Sequence, residues 1–271
     1  MKRKIALALM LGGMMAIGIA SQASAQHMSK AMETKYTAGD QRSGYLYTTP
    51  ATRALQDDDF NNPSFLWVDQ GEKLWNTVDG AAGKSCASCH GDAAKNMKGV
   101  STTYPKYDAE AGKVIAIQQR ISICREKNMQ AKPWKWESDE SLGMTAYVKL
   151  QSRGMPMNVS IDGPAREVYE KGKAFYYQRR GLLDMACSNC HVDNAGNMVR
   201  ADLLSQGQPN GFPTYRLKWQ KLGSLHRRFR GCNTQIRAEP YKRGSPEYVA
   251  LELYLSHRAN GLRVETPSVR R

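Results

Sequence analysis

The sequence predicts an all-α protein in which one helical unit is used twice. Three observations carry that expectation. The pattern C-x-x-C-H occurs at Cys86-Ala87-Ser88-Cys89-His90 and again at Cys187-Ser188-Asn189-Cys190-His191. A lone cysteine follows each copy, Cys124 at 34 residues and Cys232 at 41. Each lone cysteine lies 20 residues past an aromatic–proline pair, Tyr104-Pro105 or Phe212-Pro213, and four past an arginine, Arg120 or Arg228. Strand-like alternation is scarce, and 41% hydrophobic with 24% charged residues is a globular composition.

In chain order, Lys2, Arg3 and Lys4 precede an apolar run from Ile5 to about Ala20, and Ala23-Ser24-Ala25 ends a small, polar stretch. This is the layout of a secretory signal peptide over 1–25. The mature chain is therefore expected to start near Gln26 and to reside in the periplasm. The apolar run is short for a bilayer core of about 30 Å, and no later stretch replaces it, so no membrane span is expected. Residues 26–60 form an N-terminal extension. Domain 1 is expected over 61–157 and domain 2 over 158–271, with a Gly/Pro-bearing boundary at 153–164. Helices are expected at 65–76 and 166–179 before the two motifs. Others are expected at 113–125 and 216–230 near the lone cysteines, and at 140–150 and 247–255 as closing helices. The seven extra residues of the second unit fall in the Gly/Asn/Pro-rich stretch 194–211, a loop by composition. Gly80-Ala81-Ala82-Gly83-Lys84-Ser85 is a decoy phosphate loop, because that motif needs glycine at position 78, where Val78 stands.

The C-x-x-C-H spacing has a chemical reason. Two thiols one helical turn apart add to the two vinyl groups of one haem, and the adjacent histidine lies under the iron. Zinc would need further paired ligands at suitable spacing, and none are present. Two covalent haem c groups are expected, held by Cys86 and Cys89 with His90, and by Cys187 and Cys190 with His191. The fold class becomes two tandem class I-like cytochrome c domains related by internal duplication. Units of this size have modest cores, so folding and haem attachment are expected to be coupled.

The opposite side of each iron leaves choices open. Met144, Met155 and Met157 are candidates in domain 1, and His226, His257 and Cys232 in domain 2. Export into an oxidising compartment also allows a Cys124–Cys232 disulfide. Against it, the two cysteines occupy equivalent repeat positions, and each should face its own haem.

The formal charge is +14, and loss of three basic leader residues leaves +11. A basic chain suits nucleic acid, anionic lipid or an acidic partner. Export disfavours nucleic acid, and an acidic protein partner or an anionic substrate fits better. The dense basic block His226-Arg227-Arg228-Phe229-Arg230 sits two residues before Cys232. Arg228 and Cys232 share a helix face at i and i+4. A guanidinium there favours the thiolate and can grip an anionic oxygen group by paired hydrogen bonds, with Arg227, Arg230 and Arg237 adding to the field.

At Asp58-Asp59-Phe60-Asn61-Asn62-Pro63, at Gln119-Arg120-Ile121-Ser122-Ile123-Cys124-Arg125 and above all at Arg228-Phe229-Arg230-Gly231-Cys232-Asn233-Thr234-Gln235-Ile236-Arg237, the chain resembles the SoxA family. Cys86, Cys89 and His90 place it with the two-haem branch. The resemblance implies a partnership with SoxX, a small single-haem cytochrome c. It implies oxidative coupling of thiosulfate to a cysteine of the carrier SoxYZ, which is L-cysteine S-thiosulfotransferase activity. Two electrons would leave through haem to an electron-accepting cytochrome c. It also implies that Cys232 is the active cysteine, able to carry a persulfide and to ligate the second haem. Arg228 would be the substrate-binding arginine and Cys124 the distal ligand of the first haem. A plain two-haem electron carrier and a two-haem peroxidase are the competing functions; the matched lone cysteines favour sulfur transfer.

Overall fold

The computed structural model describes residues 29–271. The expected signal peptide over 1–25, and residues 26–28, lie outside the described residues. The chain opens with helix α1 (Lys30–Lys35), the β1–β2 hairpin (Thr37–Ala38, Gln41–Arg42) and α2 (Pro50–Asp57). A first unit then runs α3 (Phe65–Asn76), the motif helix α4 (Cys86–His90), α5 (Ala93–Asn96), the hairpin β3–β4 (Lys106–Asp108, Lys113–Ile115), α6 (Ile117–Cys124) and α7 (Asp139–Leu150). A second unit runs α8 (Ala165–Tyr177), the motif helix α9 (Cys187–His191) and the hairpin β5–β6 (Met198–Val199, Asp202–Leu203). It continues with β7–β8 (Thr214–Arg216, Lys221–Gly223), α10 (Leu225–Gln235), α11 (Pro246–Arg258) and a last strand, β9 (Ser268–Arg270). Among the described residues no helix is long and apolar enough to cross a membrane.

The frame of each unit is one crossed pair of helices, α3 with α7 and α8 with α11. Small residues let the backbones touch. A Cβ built on Gly71 would meet the Gly143 carbonyl oxygen at 2.2 Å, and one on Gly172 would meet that of Ala250 at 2.0 Å. Around the first crossing pack Trp75, Tyr104, Ile115, Ile117, Met144 and Val148. Around the second pack Phe175, Tyr176, Leu225, Phe229, Tyr248 and Leu251.

The structure departs from the all-α expectation at two equivalent places. Residues 106–115 and 214–223 are strand hairpins, so 113–115 and 216–223 are not the starts of helices over 113–125 and 216–230. Three-residue strands are too short to show an alternating pattern, and Val114 and Ile115 also satisfy a helical period. Gly112, at φ +62°, makes the turn that a helix would forbid. The helices begin after the hairpins, so Cys124 ends α6 and Cys232 lies within α10.

The 153–164 segment is packed, not a free linker. Gly154 and Met157 donate their amides to the carbonyls of Val264 and Leu262 at 2.8 and 2.9 Å. Met157, Val159 and Ile161 are buried against Val249, Leu253 and Leu262. The tail then returns to the N-terminal extension. Buried Glu265 accepts from Ser43, Gln56 and Asn210 and pairs with Arg270, while β9 joins β7 in parallel.

Overpacking at the Gly71–Gly143 contact predicts a measurable loss. Gly71→Ala should lower the unfolding free energy of the haem-loaded protein by about 2 kcal/mol, read from denaturant titration. An unchanged midpoint would refute backbone contact at this crossing.

Candidate functional site

Each motif forms one short helical turn. Ser85 caps α4, accepting the Ser88 amide at 3.1 Å while the Ser88 hydroxyl accepts the Ser85 amide. In α9, Ala186 stands at the cap and Asn189 returns one bond, accepting the Ala186 amide at 2.9 Å. All six cysteines are free. The Cys124–Cys232 disulfide left open by the sequence is therefore absent, because each cysteine belongs to its own unit.

The first group gathers Cys86, Cys89, His90 and Cys124. Burial pushes the Cys86 thiol up, and the neighbouring Cys124 adds to the rise. Trp75 lies 5.8 Å from the His90 ring, centroid to centroid, and its indole N–H donates to the Gly91 carbonyl at 2.9 Å. Arg120 is consumed here: it forms an ion pair with buried Asp108 and a hydrogen bond with the Tyr104 hydroxyl. Arg125 is spent too, on Asp79 at 2.6 Å and on the Lys132 carbonyl.

The second group gathers Cys187, Cys190, His191 and Cys232. The His191 Nδ1 donates to the Ser205 carbonyl at 2.7 Å, which fixes the ring and turns Nε2 away from Ser205. Such an outer bond is how a ligating histidine is usually oriented. The Cys232 sulfur hydrogen-bonds to this ring, so the histidine and the lone cysteine face one another. Burial alone would raise the Cys232 thiol. Arg228, the His191 bond and Arg216 outweigh it and bring Cys232 from 9.0 down to about 7. Cys187 goes the other way, pushed up to about 12 by burial with the Cys232 charge adding. The Arg228 guanidinium makes no hydrogen bond or ion pair with another described residue.

The other candidate ligands are placed elsewhere. Met144 and Met157 are buried in apolar clusters, and Met155 lies against Gly99. His257 gives Nδ1 to the Val159 carbonyl at 2.9 Å. His226 has both ring nitrogens engaged: Nδ1 accepts the Gly244 amide and Nε2 donates to Glu252, each at 2.9 Å. Of the basic block, Arg227 stacks over Trp219 at 4.4 Å and Arg230 donates to the carbonyls of Tyr241 and Pro240. Arg237 lies past the end of α10 at φ +57°. Ser205, Asp108 and Arg216 were not singled out from the sequence. A gapless overlay of 104–124 on 212–232 would have exposed the last two.

The sequence pattern of the SoxA/TsdA cytochrome c domain matches residues 70–157. The L-cysteine S-thiosulfotransferase subunit SoxA of Pseudaminobacter salicylatoxidans is 50% identical over 229 residues, covering 84% of this chain and 80% of that protein. Its counterpart from Rhodovulum sulfidophilum is 47% identical with the same coverage. The chain belongs to the SoxA family. The crystal structure of SoxXA from P. pantotrophus is similar in fold, with a TM-score of 0.82 at 47% identity over 85% of this chain and 87% of that one.

A SoxA-family cytochrome c domain carries covalently bound haem c, and the residues here suit it. The paired thiols lie one turn apart, the cysteines are unbridged, and His191, held at Nδ1 by Ser205, turns its other ring nitrogen toward Cys232. His226→Gln, which puts at 226 the residue found at the equivalent position 118, tests the ligand exclusion. It should cost about 1–3 kcal/mol of stability by disturbing a buried bonded pair, and leave the haem absorption spectrum unchanged. A changed spectrum in folded protein would restore His226 as a ligand.

Proposed function

We propose that this chain is the catalytic subunit of an L-cysteine S-thiosulfotransferase, coupling thiosulfate oxidatively to a cysteine thiol of a carrier protein. One observation carries the reading: Cys232 is held against the second C-x-x-C-H turn with an uncommitted guanidinium, Arg228, beside it. The named activity of the similar SoxA subunits supports it.

Two haems are proposed per chain. Cys86 and Cys89 would hold the first, with His90 and Cys124 as iron ligands. Cys187 and Cys190 would hold the second, with His191 and Cys232. When bound, haem c supplies one-electron acceptors within the protein. The chain's own residues do the remainder. Arg228 binds and orients the sulfonate end of thiosulfate by paired hydrogen bonds. That leaves the outer sulfur turned toward Cys232, a positioning effect worth several kcal/mol in favourable cases. The Cys232 thiolate bonds to the outer sulfur as two electrons leave. The carrier thiolate then attacks that sulfur, the Cys232 bond breaks, and Cys232 returns as thiolate. In sum, one thiol and one thiosulfate become one S-thiosulfonate, one proton and two electrons.

The similar P. pantotrophus protein was crystallised as SoxXA, and by analogy this chain would pair with SoxX, a small single-haem cytochrome c. SoxYZ would be the carrier, and a further cytochrome c would accept the electrons. The formal charge of +14 for the full chain, +11 once Lys2, Arg3 and Lys4 are removed, favours encounter with an acidic carrier. The protein would act in the periplasm after loss of 1–25, as an extension (26–60) and two duplicated cytochrome c domains (61–157 and 158–271). The recurrent order of helix, motif turn, hairpin, cysteine helix and closing helix supports the duplication.

Intact mass of the mature protein should exceed the apoprotein by two haems; a one-haem mass contradicts the ligand assignment. Cys232→Ala should retain both haems and lose carrier conjugation by about a hundredfold or more, whereas Cys124→Ala should keep part of it. Near-normal conjugation by the haem-loaded Cys232→Ala protein would make the chain an electron relay instead.

A further inference from the structure

The two cysteine sites superimpose in sequence without a gap from Tyr104–Cys124 to Phe212–Cys232, every position shifted by 108. The hairpin registers agree, Asp108 facing Lys113 and Arg216 facing Lys221. The proline, one tyrosine, one lysine, the arginine and the cysteine are kept in both copies, and two of the places that change are the partners of the kept arginine. In the first unit Arg120 is neutralised by the Asp108 carboxylate and bonded by the Tyr104 hydroxyl. In the second unit the carboxylate is replaced by a guanidinium, Arg216, and the phenol by Phe212. Arg228 therefore loses both partners and gains a cation instead.

We propose that Arg216 is a second substrate-binding residue, forming with Arg228 a two-guanidinium site beside Cys232 that selects a dianion such as thiosulfate. The inference rests on the reading of Cys232 and Arg228 as the reaction site. Arg216 is half-buried and held in place on one side. Its Nε donates to the Arg271 main-chain oxygen at 2.8 Å, and its guanidinium stacks 4.9 Å over Trp219, the ring that Arg227 also covers. Those contacts hold the fork at Nε and leave its terminal nitrogens without a hydrogen-bond acceptor among the described residues. The nearby carboxylate is Asp202, already shared by Lys218 and Arg271. Burial and repulsion from Arg228 draw Arg216 down to about 10, with Asp202 and Cys232 acting against them. Two adjacent, half-buried guanidiniums, neither paired with a carboxylate among the described residues, are stabilised by a bound anion, and more by two negative charges than by one. The first unit, with its pair already neutral, has no such preference, which explains why only one of two equivalent cysteines would react with thiosulfate.

The test uses the haem-loaded complex with its partner cytochrome, varying thiosulfate in the carrier-conjugation assay, with haem content and the oxidised spectrum recorded for each protein. Arg216→Gln should raise the thiosulfate KM by about tenfold or more with kcat changed far less, the signature of lost binding. Arg216→Asp, which copies the Asp108–Arg120 pair, should raise KM further and flatten its dependence on salt. Arg216→Lys should recover part of the affinity. An unchanged KM in both Arg216→Gln and Arg216→Asp overturns the proposal. So does a lost or spectrally altered second haem without a KM change, which would assign Arg216 to the cofactor's propionates. Failure of the underlying reading shows separately, as conjugation that survives Cys232→Ala.

Discussion

The constraint on which this structure depends is the opposition of a lone cysteine to a C-x-x-C-H turn. In the second unit the Cys232 sulfur and the His191 ring meet directly, and Ser205 holds the far ring nitrogen. The rest of the unit serves that meeting. The α8–α11 crossing at Gly172 and Ala250 supports the α9 turn from behind. The β7–β8 hairpin delivers the chain into α10 at Ser224, whose hydroxyl accepts the Arg227 amide at 3.1 Å and so fixes where the helix begins. From that start, Arg228 and Cys232 fall one turn apart on one face. A start shifted by one residue would rotate both by about 100°.

The same architecture yields two electrostatic settings. The first unit pairs its arginines with carboxylates, Arg120 with Asp108 and Arg125 with Asp79. In the second, Arg228 and Arg216 both act to draw the Cys232 thiol down. A duplicated scaffold can thus keep the ligand geometry while changing what the ligand does: one cysteine sits in a neutralised setting suited to holding a group in place, the other in a cationic one suited to an incoming anion. The difference lies in side chains of a hairpin and a helix face, and needs no change of fold.

Much of this was legible in the sequence because covalent haem chemistry demands a rigid local spacing, and because a repeat points to its own functional positions. The helices at 65–76 and 140–150 were legible from their places before the motif and after the lone cysteine. The hairpins were not, since three residues carry no period. The choice among Met144, Met155, Met157, His226 and Cys232 was also out of reach of spacing. It turns on where each side chain's polar atoms are spent, and only the structure shows both His226 nitrogens occupied. The binding of the tail at 265–270 by Ser43, Gln56 and Asn62 left no signal, because single polar residues far apart in the chain have no pattern.

The two units are not independent, and the reason lies in the helices that carry the lone cysteines. Glu137, from the first unit, accepts the Ser224 hydroxyl at the start of α10, and Trp136 donates to the same oxygen at 3.2 Å while stacking 4.5 Å from His226. In return, Gln119 of α6 donates to the Gly244 carbonyl of the second unit at 3.3 Å. Each unit thus supplies a contact that sets the helix bearing the other's cysteine. Between them, Lys149, His226 and Glu252 line one small cavity, where burial draws Lys149 down to about 8 against the pull of Glu252. A unit cut away at the 153–164 segment would lose these partners and expose Val159 and Ile161, so the position of Cys232 is a property of the whole chain. The same contacts join the neutral first site to the cationic second one: Gln119 of α6 donates to Gly244, whose amide donates to His226 of α10, a path that avoids both C-x-x-C-H turns.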